Sequence, residues 1–372
     1  MSQKIVIMQD NVYSDIERWI DKNGIRRVLI VHGNSFYQYN YLNNYLGELE
    51  NKGIQIFHFT DYKSNPKYES IINGTKYFIE TQSEGIIAIG GGSTIDVSKL
   101  IKAYSPLQQD IDFMKQKIKQ SNIPFLVIPT TAGSGSEATK FAVVYRKNEK
   151  KSVEHECLIP DFVLYNPKLL RTLPLYQKKC TMMDTFWHAI ESFWSINSTD
   201  ESKKYSKLAI RGVMDNVDLY LCENENSYKE MFLASYYGGC AINLTKTTAG
   251  HAMSYKLTTL LEIPHGHSVA LCNRSLLYWM INNIDKCVDV RGKEYLKSVF
   301  IEIANMLGCE DYSELPEFVN RFTAKLGLGV PKATDNQIKE MAKTVNLERL
   351  NNNPIKLGEN DIETIYQELF EK

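Results

Sequence analysis

Seven histidines occur in the 372 residues, and four of them stand in patterns that suit metal binding. Asp184 and His188 are four apart in Met182-Met183-Asp184-Thr185-Phe186-Trp187-His188-Ala189, so on a helix their side chains share one face. Their neighbours are apolar, and a buried carboxylate there must find a cation or hydrogen-bond donors. Ala249-Gly250-His251-Ala252-Met253-Ser254-Tyr255 carries a second histidine, and Ile263-Pro264-His265-Gly266-His267-Ser268 carries two more on what reads as a Pro-Gly loop. Taken singly, each histidine is as well explained as a satisfied core residue. Together, one Asp and several His suit a divalent transition metal such as Fe2+ or Zn2+. His32, His58 and His155 have no comparable context.

A second chemistry lies in Gly90-Gly91-Gly92-Ser93-Thr94-Ile95-Asp96-Val97-Ser98-Lys99, which follows a strand-like run and opens a helical one. Glycines permit a tight turn and a close approach of backbone to ligand. The free N–H groups of the helix start, with the helix dipole behind them, form an anion site suited to a pyrophosphate. The motif is neither G-x-G-x-x-G nor a Walker loop. Asp96 and Lys99, three apart, share a helix face, which favours a site over a purely structural turn; an intrahelical ion pair is the alternative. Pro129-Thr130-Thr131-Ala132-Gly133-Ser134-Gly135-Ser136-Glu137-Ala138-Thr139 is a second loop after a strand. Its hydroxyls and glycines make a row of donors for phosphate, ribose or carboxamide groups. Two such loops at strand carboxyl ends point to a dinucleotide more than to a single phosphate.

These residues need a scaffold, and the sequence supplies two textures. Up to about residue 165, short β-branched runs (27–31, 54–59, 85–89 and 125–128) alternate with helical stretches such as Ile72 to Thr81 and Thr94 to Ser105. Near-continuous apolar runs suit a parallel sheet covered on both faces. Beyond Pro167, helical periodicity dominates over 175–197, 201–222, 227–243, 247–261, 295–307 and 314–326, with Leu208, Val213, Val217 and Leu221 read as one apolar stripe. The expected organisation is an α/β domain over 1–166, Rossmann-like with a parallel sheet, and an all-α domain over 167–372. Directly packed halves imply a ligand cleft between them.

Composition narrows the partners. Lys and Arg total 43 against 44 Asp and Glu, a net charge of -1, without the basic surplus of a nucleic-acid binder. No apolar run reaches the ~18–20 residues of a membrane span. The apolar stretch within Met1–Asp10 is too short for a signal peptide. Seven cysteines, scattered without a C-x-x-C pair, read as reduced thiols. The expectation is a cytoplasmic protein without nucleic-acid or membrane partners.

Gly90–Lys99, Pro129–Thr139, Asp184/His188 and His251…Pro264-His265-Gly266, in this order and spacing, together resemble the iron-containing (group III) alcohol dehydrogenases. The resemblance implies the dehydroquinate-synthase-like fold of that family, with NAD(P) and a divalent metal between an α/β dinucleotide-binding domain and a helical domain. It implies metal ligation by Asp184, His188, His251 and His265, with Fe2+ favoured over Zn2+. It places the pyrophosphate on Gly90, Gly91, Gly92 and Ser93. Asp96, Lys99, Thr130, Thr131, Ser134 and Thr139 become further cofactor contacts, with Asp96 also a catalytic candidate. It implies hydride transfer to a small aldehyde, and a homodimer is expected. His267 is not assigned by the pattern.

Tyr255 departs from it, since many members have a second histidine there, thought to help proton exchange. A tyrosine, with an ordinary pKa of ~10, is a poor base near neutrality, which favours cofactor ribose and water as the proton route; Tyr255 stays a catalytic candidate if tuned, or else shapes the pocket. The stretch Thr245–Thr258 is similar to the branch that reduces phosphonoacetaldehyde to 2-hydroxyethylphosphonate, making Lys246 and Lys256 candidates to pair with a phosphonate dianion. Alternatively both are solvated surface lysines. His32-Gly33-Asn34-Ser35 lacks the acid that binds an adenosine ribose, which permits NADP without excluding NAD. Two other readings stand beside this one. A dehydroquinate-synthase-like lyase shares the fold, but its Glu-plus-two-His ligand set fits Asp184/His188 less well. A non-catalytic NAD-binding protein is favoured only by Tyr255.

Overall fold

The computed structural model describes residues 4–7, 13–147 and 149–371, and the side chains of all these except 4–7 and 347–349. Most of the Met1–Asp10 stretch lies outside the described residues. The chain forms two compact units, Met1–Leu173 with Glu223–Phe232, and Pro174–Cys222 with Leu233–Lys372.

The first unit runs β1 (Lys4–Ile7), α1 (Ser14–Asn23), β2 (Arg27–His32), α2 (Asn40–Asn51), β3 (Gln55–Phe59), α3 (Tyr68–Glu80), β4 (Gly85–Gly90), α4 (Gly92–Tyr104), β5 (Phe125–Pro129), β6 (Phe141–Arg146), β7 (Glu149–Glu154) and β8 (Phe162–Tyr165). Six strands pair in parallel in the order β1-β8-β5-β4-β2-β3, while β6 and β7 form a separate antiparallel hairpin. The uninterrupted apolar runs have a simple cause in the pleat. Leu29, Val31, Ile86, Ala88, Phe125 and Val127 point to one face, against Ile71 and Phe78 of α3 and Ile101 and Tyr104 of α4. The alternate residues Val28, Ile30, Ile87, Ile89, Leu126 and Ile128 point to the other, against Ile16 and Ile20 of α1 and Leu42 and Leu46 of α2. Both faces are dry, so no polar alternation is left to see.

The second unit is helical: α5 (Leu175–Trp194), α6 (Asp200–Leu221), the later turns of α7 (Asn226–Thr245), α8 (Ala249–Leu260), α9 (His265–Asn282), α10 (Lys293–Leu307), α11 (Leu315–Lys325), α12 (Asp335–Lys343) and α13 (Glu359–Glu371). Side-chain caps set several starts. Thr199 and Ser202 form a reciprocal capping box on α6, and Thr334 with Gln337 does so on α12. Two expectations are corrected here. The Pro264-His265-Gly266 segment is no loop, because Pro264 caps α9 and His265 is its first residue. A proline fits a helix start, where its missing N–H costs nothing. The α6 stripe is also misplaced, since Leu208 is 39% exposed while Ser206, Ala209, Ile210, Val213, Val217 and Tyr220 are buried. The five-residue step from Leu208 to Val213 falls out of helical register. Among the described residues no helix is long and apolar enough to cross a membrane.

Candidate functional site

In the α/β unit, β4 and β5 are neighbours with Gly90 opposite Pro129, and the Thr130 N–H donates to the Gly90 carbonyl at 3.0 Å. The two loops predicted from sequence therefore leave adjacent strand ends together. Their glycines are required by each other's bulk. A Cβ on Gly90 would stand 2.1 Å from Thr94 Oγ1, one on Gly91 3.0 Å from Thr131 Oγ1, and one on Gly92 2.7 Å from Ser134 Oγ. Gly91 caps α4 in an extended conformation and no side chain caps the helix, so its first N–H groups remain for an anion.

The predicted contacts then sort by position. Gly91, Gly92, Ser93, Thr131 and Ser134 are partly exposed around the α4 start, whereas Thr130, Thr139 and Lys99 are buried. Lys99 does not face the turn. Its ammonium donates to the carbonyls of Ser136 (2.6 Å), Thr139 (2.7 Å) and Phe141 (2.7 Å) and to Thr139 Oγ1 (3.1 Å). Burial, offset by Asp96 and Glu137, brings its pKa down to about 8. An ammonium whose hydrogens are spent on carbonyls holds a loop and has none left for a cofactor, so the structure withdraws Lys99 and Thr139 into a supporting layer. Asp96 accepts from Ser136 Oγ at 2.6 Å and from the Val143 N–H at 3.0 Å, tying α4 to the second loop and to β6. Burial raises its pKa, against the pull of Lys99 and these donors.

In the helical unit α5 carries Asp184 and His188 on one face, α8 carries His251 in its first turn, and α9 begins with His265. One oxygen collects the histidines. Asp184 Oδ1 lies 3.3 Å from His251 Nε2, 3.8 Å from His188 Nε2 and 3.9 Å from His265 Nε2. The His188 and His251 rings stack with centroids 4.6 Å apart. Ligands about 2.1 Å from one tetrahedral ion stand about 3.4 Å apart, so these separations fit an ion held among them. Asp184, His188 and His251 are the buried group, their ligand atoms all within 4.8 Å of one another. The His265 side chain is 34% exposed and marks the open side. Burial alone would raise the Asp184 pKa, but His188, His265 and His251 outweigh it and hold the carboxyl well below the usual range.

Sequence reasoning missed Glu191, one turn beyond His188 and completely buried. Its Oε1 accepts from His251 Nδ1 (2.7 Å), the His251 N–H (3.0 Å) and Asn273 Nδ2 (2.7 Å). Its Oε2 accepts from the Thr248 N–H and from Thr248 Oγ1 (2.9 Å). Glu191 thus caps the start of α8 and orients His251, leaving Nε2 toward Asp184. The carboxylate-histidine pair is the usual outer support of a metal ligand. Leaving such a buried carboxylate unpaired would cost about 3–5 kcal/mol, so five donors around it are a requirement of the fold. The only sequence signal was a glutamate seven residues after Asp184 in an otherwise apolar run. Against burial, the charges of Glu191 and Asp184 push His251 up to about 10. An imidazole between two carboxylates marks a place built for positive charge.

The remaining predicted residues lie as follows. Tyr255 is half-buried, its ring stacked 5.9 Å from that of His265. Lys256 forms an ion pair with Glu340 at 2.7 Å. Lys246 is exposed just beyond α7 in a left-handed conformation (φ 61°). His267 bonds to the Tyr176 hydroxyl (2.8 Å) and the Gly329 carbonyl (2.9 Å), away from the histidine cluster. His32 and His58, given no context by the sequence, pair at 2.9 Å where β2 and β3 end. The seven cysteines are all free thiols.

Comparison with known proteins agrees with this geometry. Residues 3–167 match the family model for iron-containing alcohol dehydrogenase, and 179–370 match that for the C-terminal part of the Fe-containing alcohol dehydrogenase family. An alcohol dehydrogenase of Thermococcus barophilus is 26% identical over 362 residues, 92% of either chain. A phosphonoacetaldehyde reductase of Streptomyces viridochromogenes is 28% identical over 286 residues, 73% of this chain and 72% of its own. The fold is shared with the sulfoacetaldehyde reductase of Bifidobacterium kashiwanohense, solved with NAD+, at a TM-score of 0.85 and 24% identity, covering 99% of this chain and 96% of that one. With both units matched and a buried Asp/His/His group that fits a metal, the chain belongs to the iron-containing alcohol dehydrogenase family, oxidoreductases that use NAD(P) and iron.

Proposed function

We propose that this chain reduces a small aldehyde carrying an anionic group, reversibly, with phosphonoacetaldehyde to 2-hydroxyethylphosphonate as the leading case. The observation that carries the metal-dependent part is the convergence of three imidazole nitrogens within 3.9 Å of Asp184 Oδ1, backed by Glu191. Asp184, His188, His251 and His265 would hold the ion, with Fe2+ favoured over Zn2+. The α4 start and the second loop would hold the cofactor through Gly90, Gly91, Gly92, Ser93, Thr130, Thr131 and Ser134. This assigns cofactor binding to 1–166 and metal and substrate binding to 167–372.

When bound, the metal supplies Lewis acidity at the carbonyl oxygen and the nicotinamide supplies the hydride. The chain's own residues do the rest. Glu191 fixes the His251 tautomer so that Nε2 faces Asp184, and Asp96 fixes α4 against the second loop. The Tyr255 ring stacks on His265 and walls the site there, and with Tyr255 a poor base near neutrality the proton would be supplied by the cofactor ribose and water.

The phosphonate reading draws on the 28% identical phosphonoacetaldehyde reductase, and the sulfoacetaldehyde reductase that shares the fold also takes a two-carbon aldehyde bearing an oxyanion. Of the two lysine candidates, Lys246 is exposed and Lys256 pairs with Glu340 at 2.7 Å. No acid follows β2, which permits NADP without excluding NAD. A homodimer in the cytoplasm completes the proposal. Assaying phosphonoacetaldehyde, sulfoacetaldehyde and butanal with both cofactors, beside elemental analysis, tests it. Preference for the two anionic aldehydes is expected, and a catalyst that favours butanal at least tenfold overturns the substrate assignment.

A further inference from the structure

A pocket of about 700 Å³ opens in the helical unit between α9, the loop that follows α11 and the end of α13. Its wall includes Arg274 from α9, Lys332, Phe370 and the glycines Gly327 and Gly329, and contains no Asp or Glu among the described residues. Arg274 is partly buried, and no described residue forms a hydrogen bond or ion pair with its guanidinium. Burial lowers its pKa and no neighbouring acid offsets that. A third cation stands close by, with the Lys179 ammonium 3.9 Å from where a Cβ on Gly327 would lie. Gly329 also accepts the hydrogen bond from His267, so the loop is fastened to α9 and the pocket wall is formed in advance.

Two cations in the wall and a third beside Gly327, with no carboxylate among the described lining residues, leave a positive potential that a partly desolvated guanidinium concentrates. Surface arginines ordinarily find a carboxylate or spread into water, and Arg291 here shows the first outcome with Asp289 at 2.7 Å. A planar guanidinium and an ammonium lining one pocket match an oxyanion with several acceptors, and Leu328, Val330 and Phe370 offer an apolar wall for the body behind it. The volume falls within the ~300–1,000 Å³ of small-molecule sites. We propose that Arg274, Lys332 and Lys179 form a binding site for a small phosphorylated molecule, separate from the metal and cofactor residues.

The test is calorimetric titration of metal-loaded protein, saturated with nicotinamide cofactor, against inorganic pyrophosphate and glycerol phosphate at low ionic strength. Saturable binding of one glycerol phosphate per chain is expected, weakened at least tenfold in Arg274→Gln and about threefold in Lys332→Gln, in line with the loss of a charge-assisted contact. Lys332 is exposed, so its variant carries the test should Arg274→Gln fail to fold. Absence of saturable binding, equal binding in both variants, or binding abolished by His265→Ala while Arg274→Gln leaves it intact would each overturn the proposal. The last would place the anion on the metal.

Discussion

At the ends of β4 and β5 the chain uses glycine, serine and threonine, whereas on α5, α8 and α9 it uses aspartate, glutamate and histidine. The first region, as proposed, would bind with its backbone, so what matters there is how closely two loops can approach. Gly90, Gly91 and Gly92 are occupied by the atoms of Thr94, Thr131 and Ser134, and the loop shape is set by that contact. The second would bind with side chains, so what matters is helical register and the bonds that hold each ring. Damage to the first should appear as lost cofactor affinity with metal intact, and damage to the second as the reverse.

The strongest way to break this division is Asp184→Ala. Removing the oxygen that faces all three imidazoles should empty the metal site and lower turnover by about 10³-fold or more, equivalent to about 4 kcal/mol of transition-state stabilisation. Cofactor binding, followed by nicotinamide fluorescence, should change little, and a variant that kept its metal and its rate would remove the site. Next comes Glu191→Gln, which preserves shape but not charge and can no longer accept from every donor. A fall of about 10- to 100-fold in metal affinity is expected by competition with a chelator, and unchanged affinity would reduce Glu191 to a helix cap.

Gly92→Ala probes the other region. Its Cβ would meet Ser134 Oγ at 2.7 Å and Ser134 Cβ at 2.9 Å, so the loop must move and the cofactor KM should rise about tenfold at full metal content. Adding Ser134→Gly should recover most of the loss, and failure of that rescue would mean the glycine serves something other than this contact. The smallest effect concerns stability. Burial holds both His32 and His58 below their ordinary 6.5 in the folded state. The unfolded chain then binds protons first as acid is added, so stability is complete above about pH 6.5 and declines below it. His58→Gln should flatten that decline in chemical denaturation, and an unchanged acid limb would exclude the pair as its source.

Much of this was legible beforehand, for reasons that differ by residue. Asp184 and His188 announced themselves because two polar residues at helical spacing interrupt an apolar run. The β4 and β5 ends were visible because glycine clusters directly follow continuous apolar strands. Glu191 was hidden because one buried acid among Ile190, Ser192 and Phe193 carries no pattern, and its partners Thr248 and Asn273 lie 57 and 82 residues away. Lys99 misled for a related cause: its spacing from Asp96 is genuine, but its partners belong to a loop 37–42 residues on. The α9 start was misread because Pro-His-Gly-His looks like a turn when the helix it opens is buried on most sides and shows little amphipathic rhythm.

Two glycines adjoin the histidines of α8 and α9. A Cβ on Gly250 would fall 2.0 Å from Asn273 Oδ1, and one on Gly266 would fall 1.9 Å from the Cys180 carbonyl. Helix spacing beside His251 and His265 is therefore dictated by main chain and a fixed amide, irrespective of what the imidazoles hold. The frame that carries these two histidines is set by contacts between helices and not by the imidazoles themselves. A designer can exchange one histidine for another donor to favour a different metal, provided both glycines are left alone.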